Sequence, residues 1–241
     1  AIYRLKIINP KKIISVKKDG RYGVKGNELM LYDYYTEKPI NQHLKDIWLN
    51  CLAPFEIEPK SDKYDLFISS RQDQEAKNQL KKYSSSYLIG INIEGAVKGK
   101  KINSIDLEKI CKALSRLNLT IIIICHPDKM LYTSKLLKSM NLSYVNLSYK
   151  TESILDLAAL IKNLNFIITP DTSVSHIASA YNKPVITIHE DNLESYKLFA
   201  PTSRINKTIF SNKKNSLEGF PVDELITETF ELIKLDQRQT H

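Results

Sequence analysis

Short apolar runs alternate with amphipathic stretches from Tyr87 onward, and this alternation limits the possible folds more than any other feature of the sequence. The run at 119–125 is continuous and mostly β-branched, which is typical of a parallel strand covered on both faces. Similar runs predict strands at 87–93, 143–147, 166–169 and 184–188.

The stretches that separate and follow these runs have helical periodicity. They predict helices at 104–117, 129–140, 153–164, 173–181 and 222–235. A chain that repeats strand, helix, strand forms a parallel sheet with right-handed crossovers. The fold class is therefore predicted to be α/β, with a doubly wound, Rossmann-like parallel sheet.

The first 86 residues lack this alternation. They contain a possible strand at 13–16, a tyrosine-rich stretch at 32–35 that predicts a loop, and an amphipathic helix at 41–52. So few strands predict no sheet of their own. We therefore divide the chain into an incomplete N-terminal α/β portion at 1–86, the doubly wound domain at 87–212 and a C-terminal helical tail at 213–241.

The net charge of +8 favours anionic partners. The lysines form several short clusters. These clusters fit a solvated surface, and they fit equally well a surface that binds phosphates, lipid headgroups or nucleic acid. RNA-stacking modules require aromatic residues interleaved with basic residues on a strand, and no predicted strand has this pattern. We therefore expect no nucleic-acid partner. Three widely spaced cysteines predict reduced thiols in the cytoplasm and no zinc site.

Parallel sheets bind ligands beyond the carboxyl ends of their strands, so the loops at these ends hold the candidate site. The loop after the first strand, 92–101, combines two glycines with three lysines. Glycine allows the backbone to approach a ligand, and ammonium groups neutralise phosphate oxygens. The loop matches neither a Walker motif nor G-x-G-x-x-G, so a plain surface turn is the alternative.

The loop after the strand at 119–125 contains Asp128. An acidic residue at such a strand end accepts hydrogen bonds from ribose hydroxyls in dinucleotide-binding folds. Asp128 is also placed to cap the helix that follows, which is the structural alternative.

The loop after the strand at 166–169 is the most informative of the three. It contains Asp171, Thr172 and Ser173, any of which can cap the next helix, and His176 lies one turn beyond Ser173 on the same face. Capping alone does not explain a histidine beside three consecutive side-chain oxygens at a strand end. A binding site is therefore predicted here.

This region resembles a known sequence motif. The run DTSVSHIASA at 171–180, followed by Pro184 at the start of an apolar strand, resembles the D-T/S-G/S-x-S-H-x-A-x-A…P motif of the bacterial lipopolysaccharide heptosyltransferases, glycosyltransferase family 9. The loop with Gly95, Ala96 and Lys100 is similar to the family's phosphate-contacting loop. The helix at 41–52 resembles the last helical region of the family's N-terminal domain.

The resemblance implies a GT-B architecture of two facing Rossmann-like domains. The C-terminal domain would bind the donor, a nucleotide sugar, and the N-terminal domain a lipid-linked saccharide acceptor. Residues 1–86 would be the remnant of the acceptor-side domain with its linker, and residues 87–212 the donor-nucleotide-binding domain. Much of the acceptor-side domain would then precede Ala1.

The resemblance also implies roles for the residues of the first two loops. Gly95 and Ala96 would offer loop groups to the diphosphate of the donor. Lys100 would supply a positive charge, with Lys101 as its substitute. Asp128 or its neighbour would bind the ribose.

The remaining donor-binding residues follow from the same comparison. The backbone near Glu152 would meet the adenine, and Asp171 would bind sugar hydroxyls. Thr172 and Ser173 would present helix-start N–H groups to phosphate, while His176 would support that loop.

The implied reaction is an inverting, metal-independent transfer that needs no cofactor besides an ADP-linked sugar donor. No D-x-D motif is present, and the family's base lies in a region with no counterpart here, so no catalytic residue is named. The expected location is the cytoplasm, on the anionic inner face of the bacterial inner membrane. The alternatives are a nucleotide-sugar isomerase of GT-B-like fold and a non-catalytic nucleotide-binding remnant.

One segment departs from the family. After the strand at 184–188 the family has an aromatic-Gly-Pro-Thr turn, whereas this chain reads His189, Glu190, Asp191, Asn192. Two carboxylates beside a diphosphate would repel it at a cost of about 1 kcal/mol each. Either these side chains point away or the donor differs from ADP-heptose.

Overall fold

The computed structural model describes residues 8–17, 32–37, 39, 41–83, 87–95 and 99–240. The chain divides into two compact units, the first made of 1–63 and 193–200 and the second of 64–192 and 201–241. The domain boundary predicted near 84–86 lies outside the described residues. The three predicted domain ranges therefore stay predictions.

The helices and strands alternate through the second unit, as the apolar pattern predicts. In chain order the described elements are β1 (Ile14–Val16), β2 (Tyr34–Thr36), α1 (Leu44–Leu49), α2 (Ser70–Leu80), β3 (Leu88–Asn92), α3 (Ser104–Leu114), β4 (Thr120–Ile124), α4 (Met130–Met140), β5 (Val145–Leu147), α5 (Ile154–Lys162), β6 (Phe166–Pro170), α6 (Ser173–Ala180), β7 (Val185–His189), α7 (Leu193–Phe199), β8 (Asn206–Phe210) and α8 (Val222–Thr240). Short 3-10 turns cover Asn50–Phe55 and Pro127–Lys129.

The first unit contains a small parallel sheet, in which β1 pairs with β2. Two predictions were wrong here: the tyrosine-rich stretch forms a strand rather than a loop, and the N-terminal portion has a sheet of its own. Tyrosine and threonine both favour a pleated strand, and Thr36 faces inward, where its hydroxyl donates to the carbonyl of Ile47 at 3.3 Å. The predicted helix at 41–52 is shorter, because a 3-10 turn containing Pro54 follows α1.

The described residues of the second unit form a six-stranded parallel sheet in the order β5-β4-β3-β6-β7-β8. This confirms the predicted fold class. The chain runs outward from β3 in one direction through β4 and β5, and from β6 in the other direction through β7 and β8. The carboxyl ends of β3 and β6 therefore flank the point where the strand order reverses, and ligands bind at this point in doubly wound sheets.

Both faces of this sheet are buried against helices. One core includes alternate strand residues such as Ile89, Ile123 and Ile168 and packs against α3 and α8. The other includes Ile122 and Ile167 and packs against α5 and α6. Because every residue of the central strands is covered, these strands read as continuous apolar runs rather than alternating ones.

Three elements were not predicted from the sequence, and the reason is the same for each. The strand β8 and the helices α2 and α7 bury few side chains, so their sequences lack the apolar stripe on which the prediction depends. The last helix, α8, extends beyond its predicted end to Thr240. Among the described residues, no helix combines the length and the apolar character that crossing a bilayer requires.

Candidate functional site

A polar network joins β3 to β6 at the point where the strand order reverses. Asn92, the last residue of β3, is 5% exposed. Its Nδ2 donates to the Oγ1 atoms of Thr169, at 2.9 Å, and Thr172, at 3.3 Å. Sequence reasoning did not assign Asn92 a role, although a polar residue that ends an apolar strand was the available signal. The network fixes the turn from β6 into α6.

Thr172 is the residue that caps α6. Its Oγ1 accepts a hydrogen bond from the backbone N–H of Val174 at 3.2 Å, and its carbonyl accepts one from the hydroxyl of Ser175 at 2.7 Å. Of the three candidate caps, the structure therefore selects the second. Ser173 begins the helix with an exposed side chain. The carboxylate of Asp171 is not the cap and interacts elsewhere.

Asp171 pairs with a buried histidine at the end of β7. The Nε2 atom of His189 lies 3.1 Å from Oδ2 of Asp171, and the imidazole side chain is 2% exposed. Burial by itself raises the pKa of the Asp171 carboxyl, but the nearby His189 and Lys100 outweigh it and lower the pKa. A negative charge is thus held at the first position of the turn into α6.

The loop after β3 folds back on itself. Glu94 and Lys101 form an antiparallel bridge, and the N–H of Ile102 donates to the carbonyl of Ile93 at 3.0 Å. A Cβ atom at Gly95 would lie 1.9 Å from the carbonyl oxygen of Lys100, so only glycine fits this approach of two backbone segments. Gly95 therefore has a reason in the packing of the loop itself, alongside the donor role that the family resemblance implies.

Lys100 and Glu190 form a nearly buried ion pair. The Nζ atom donates to Oε1 of Glu190 at 2.9 Å, and the two side chains are 15% and 6% exposed. The other carboxylate oxygen accepts from the backbone N–H of Asn215 at 2.6 Å. Burial alone raises the pKa of Glu190, but the hydrogen bond and charge of Lys100 outweigh it and the pKa is lowered. Glu190 is thus ionised at neutral pH and turned toward Lys100 in the loop after β3.

The two carboxylates that depart from the family pattern differ in their environments. Glu190 is buried, whereas the neighbouring Asp191 is exposed and donates its backbone N–H to the carbonyl of Lys213 at 3.1 Å. Of these two side chains, Glu190 points toward Lys100, which compensates its charge, and Asp191 is exposed.

Asp128 lies at the carboxyl end of β4, with its side chain exposed. The capping alternative for this residue is wrong, because α4 begins at Met130 after Lys129, and no side chain caps it. The turn is instead fixed by Glu94, whose carboxylate accepts from the N–H of His126 at 2.7 Å and pairs with Lys129 at 2.8 Å. The carboxylate of Asp128 is thus not used for capping.

Glu152 follows β5, at the edge of the sheet and two strands from β3. Its carboxylate pairs with Lys150 at 2.8 Å, and its N–H donates to Asp156 at 3.2 Å. A concavity of about 720 Å³ lies beside it, lined also by Tyr149 and by residues of α2. This concavity is on the α2 side of the loop and does not include the residues at the start of α6.

The remaining predicted site residues are His176, Lys101 and Ala96. His176 lies on α6 and makes an edge-to-face contact with Tyr64, the two ring centroids being 6.4 Å apart. Lys101 is exposed beyond the backbone bridge that it makes with Glu94. Ala96 lies outside the described residues. The structure therefore brings Lys100, Asp171 and Thr172 to one edge of the sheet, and places Asp128 and Glu152 progressively farther along that edge.

Comparison with known proteins identifies a family and a shared fold. The sequence profile of glycosyltransferase family 9 (heptosyltransferase) matches residues 5–220. Among curated proteins, no significant match was found.

Solved structures share the fold at low sequence identity. A glycosyltransferase family 9 protein from Veillonella parvula has a TM-score of 0.78 at 15% identity, with 96% of this chain and 70% of that one covered. E. coli heptosyltransferase WaaC with ADP has a TM-score of 0.63 at 15% identity, covering 89% and 64%. E. coli ADP-heptose lipopolysaccharide heptosyltransferase II has a TM-score of 0.62 at 18% identity, covering 75% and 56%. The chain thus spans a little over half to about two thirds of these relatives.

Proposed function

Because the chain belongs to glycosyltransferase family 9, the heptosyltransferases, we propose that the protein transfers a sugar from a nucleotide diphosphate to a lipopolysaccharide or other surface-polysaccharide acceptor. In this proposal the second unit binds the donor. The acceptor is lipid-linked, and the lysine-rich surface favours the anionic membrane face on which such an acceptor resides.

The observation that carries the proposal is the meeting of three features at the carboxyl ends of β3 and β6. These are the ammonium group of Lys100, the start of α6 at Ser173 and the carboxylate of Asp171. A helix start attracts phosphate through its N–H groups and its dipole, and an ammonium group neutralises the phosphate oxygens. A carboxylate accepts hydrogen bonds from sugar hydroxyls. A nucleotide diphosphate that carries a sugar offers both of the groups that these features bind, phosphate oxygens and sugar hydroxyls.

The same groups support a transfer that proceeds without a metal. When the acceptor hydroxyl attacks the anomeric carbon, the bond to the phosphate oxygen breaks and its electron pair stays on the diphosphate. Lys100 and the start of α6 would stabilise this charge as it develops. We propose inverting transfer from an ADP-linked sugar, and assign the base that deprotonates the acceptor to no residue of this chain.

Calorimetric titration with ADP, UDP and GDP tests the donor site. We expect ADP to bind most tightly; a preference for UDP would overturn the choice of nucleotide, and no binding of any of the three would overturn the donor site itself.

A second titration, with ADP-glucose, compares Asp171→Asn with Asp223→Asn, an exposed aspartate that pairs with Lys109. We expect about ten-fold weaker binding for the first variant only, which corresponds to about 1.4 kcal/mol.

Acceptor dependence separates the transferase from the isomerase alternative. Incubation of the protein with an ADP-sugar and lipopolysaccharide is expected to release ADP only when the acceptor is present. Conversion of the sugar nucleotide to an isomer without acceptor would instead indicate an isomerase.

A further inference from the structure

Glu190 places a fixed negative charge where the proposed function requires a phosphate. Lys100 follows β3 and Glu190 follows β7, and β6 lies between these two strands. The ion pair therefore spans the carboxyl end of β6, where the chain turns into α6. A phosphate bound by Lys100 and the start of α6 would lie beside the carboxylate of Glu190.

The carboxylate is held from two directions and cannot easily turn away. Its second oxygen accepts from the N–H of Asn215 at 2.6 Å, in the loop after β8. That loop also holds the segment that carries Lys100, since the N–H of Leu217 donates to the carbonyl of Gly99 at 3.0 Å. A Cβ atom at Gly99 would lie 2.6 Å from the carbonyl oxygen of Asn215, so the two loops are in close contact. Both partners of the ion pair thus belong to one packed arrangement of loops.

This arrangement reduces the attraction that Lys100 offers to an anion. The positive charge of Lys100 is compensated by Glu190, and Asp171 adds a second negative charge at the same edge. The carboxylate of Glu190 faces the Lys100 ammonium and the Asn215 amide, with the imidazole of His189 adjacent in sequence. Each additional negative charge on a ligand is therefore repelled by the carboxylate of Glu190, which the surrounding contacts hold in place.

The nucleotide product of the proposed reaction carries one more negative charge than the donor. A nucleotide diphosphate that carries a sugar has one ionised oxygen on each phosphate. After transfer, the terminal phosphate keeps the electron pair of the broken bond, and above its pKa of about 6 it carries one more negative charge. A fixed carboxylate beside that phosphate disfavours the product more than the donor.

We propose that Glu190 is a specificity-determining residue that shifts the site toward the glycosylated nucleotide diphosphate and away from the free one, and so promotes release of the product. It acts through the position and charge of Lys100 as well as directly on the phosphate. This inference rests on the proposed donor site.

The test compares the dissociation constants of ADP and ADP-glucose at pH 8 in the wild type and in Glu190→Gln. The variant keeps the size of the side chain and removes the charge. Its single oxygen can replace the carboxylate oxygen that accepts from Lys100 or the one that accepts from Asn215, but not both. We expect ADP to bind about three- to ten-fold more tightly in the variant and ADP-glucose to change less, so that the ratio shifts toward ADP. Because both ligands are measured on one preparation, the ratio does not depend on the folded fraction.

Three further variants keep the test decisive. Glu190→Met removes the same charge with an apolar side chain and is expected to shift the ratio in the same direction, should Glu190→Gln fold poorly. Glu190→Asp keeps the charge and is expected to keep the wild-type ratio. Glu228→Gln removes the partner of Lys207, an ion pair at 2.7 Å between α8 and β8, and is expected to leave both affinities unchanged.

The outcomes separate this inference from the proposed function. If the charge-removing variants weaken both ligands equally, or only lower the melting temperature, Glu190 is a structural residue and the inference is overturned. If neither the wild type nor any variant binds a nucleotide, the donor site is overturned and the inference falls with it.

Discussion

The Nε2 atom of His189 lies 3.1 Å from Oδ2 of Asp171, so the last residue of β7 holds the carboxylate at which the chain leaves β6. His189 is buried and packs against the ring of Phe210 at a centroid distance of 6.0 Å. An imidazole in this position orients the carboxylate and compensates its burial. The pair therefore links the stability of the second unit to the geometry of the proposed donor site.

Two substitutions separate the apolar packing of the His189 ring from the contact of its Nε2 atom with Asp171. We expect His189→Phe to destabilise the protein by about 1 to 3 kcal/mol, because it leaves a half-buried carboxylate without its partner. His189→Gln, which can still donate a hydrogen bond, should lose less. Urea unfolding at pH 7 measures both, and equal stabilities of the two variants would show that the pair does not hold Asp171.

The residue that caps α6 can be identified by two substitutions at its start. Thr172→Ala removes the hydroxyl that accepts from Val174 and from Asn92, and we expect a loss of about 1 kcal/mol. Ser173→Ala, at the adjacent exposed position, is the matched control and should change stability by less than about 0.5 kcal/mol. Thermal unfolding of both variants decides the matter; a larger loss for Ser173→Ala would mean that the cap has been assigned to the wrong residue.

The loop after β3 depends on the absence of a side chain at Gly95. A Cβ atom there would collide with the carbonyl oxygen of Lys100, so Gly95→Ala must displace the segment that carries the lysine. We expect a loss of stability of about 1 to 3 kcal/mol together with weaker binding of ADP. Gly219→Ala is the comparison, because a Cβ at Gly219 meets no atom within 4 Å and only the backbone conformation opposes it. Unchanged ADP binding in Gly95→Ala would show that the loop does not hold the diphosphate.

Much of the fold could be predicted because its cause is local in sequence. The central strands are covered on both faces and consist of apolar runs, and α3 and α5 present clear apolar stripes. The strand β8 buries little beyond Ile209, so nothing in its sequence distinguishes it from a polar loop. An element that buries few side chains has no hydrophobic periodicity in its sequence and could not be predicted from it.

The candidate site could be predicted only in part, because its contacts join distant parts of the chain. The motif beginning at Asp171 is continuous in sequence and could be recognised. The bond between Lys100 and Glu190 joins residues 90 positions apart, and the bond from Asn92 to Thr172 joins residues 80 positions apart. Glu190 could be recognised as a departure from the family pattern, but its partner depends on the sheet order that brings β3 and β7 to either side of β6.

Asp73 ties α2 to α5 and makes this contact sensitive to acid. Its carboxylate accepts from Lys77 at 2.6 Å and from the side chain of Asn163 at 3.0 Å, and it lies 3.3 Å from Lys162. The hydrogen bond from Lys77, followed by that from Asn163, lowers the pKa of Asp73 from 3.8 to about 2. Because the folded-state pKa is the lower one, the stabilisation is present above pH 3.8 and is lost as the pH falls toward 2.

We therefore expect Asp73→Asn to be less stable than the wild type at pH 7, and the difference to shrink between pH 4 and pH 2, as the carboxylate of the wild type takes up a proton. Urea unfolding at pH 7, 4 and 2.5 follows this difference. The control is Glu75→Gln on the same helix, whose carboxylate accepts from Gln79 of α2 at 2.8 Å; it should change stability by less than about 0.5 kcal/mol at each pH. A difference for Asp73→Asn that stays constant with pH would mean that its charge contributes nothing and that the loss comes from packing alone.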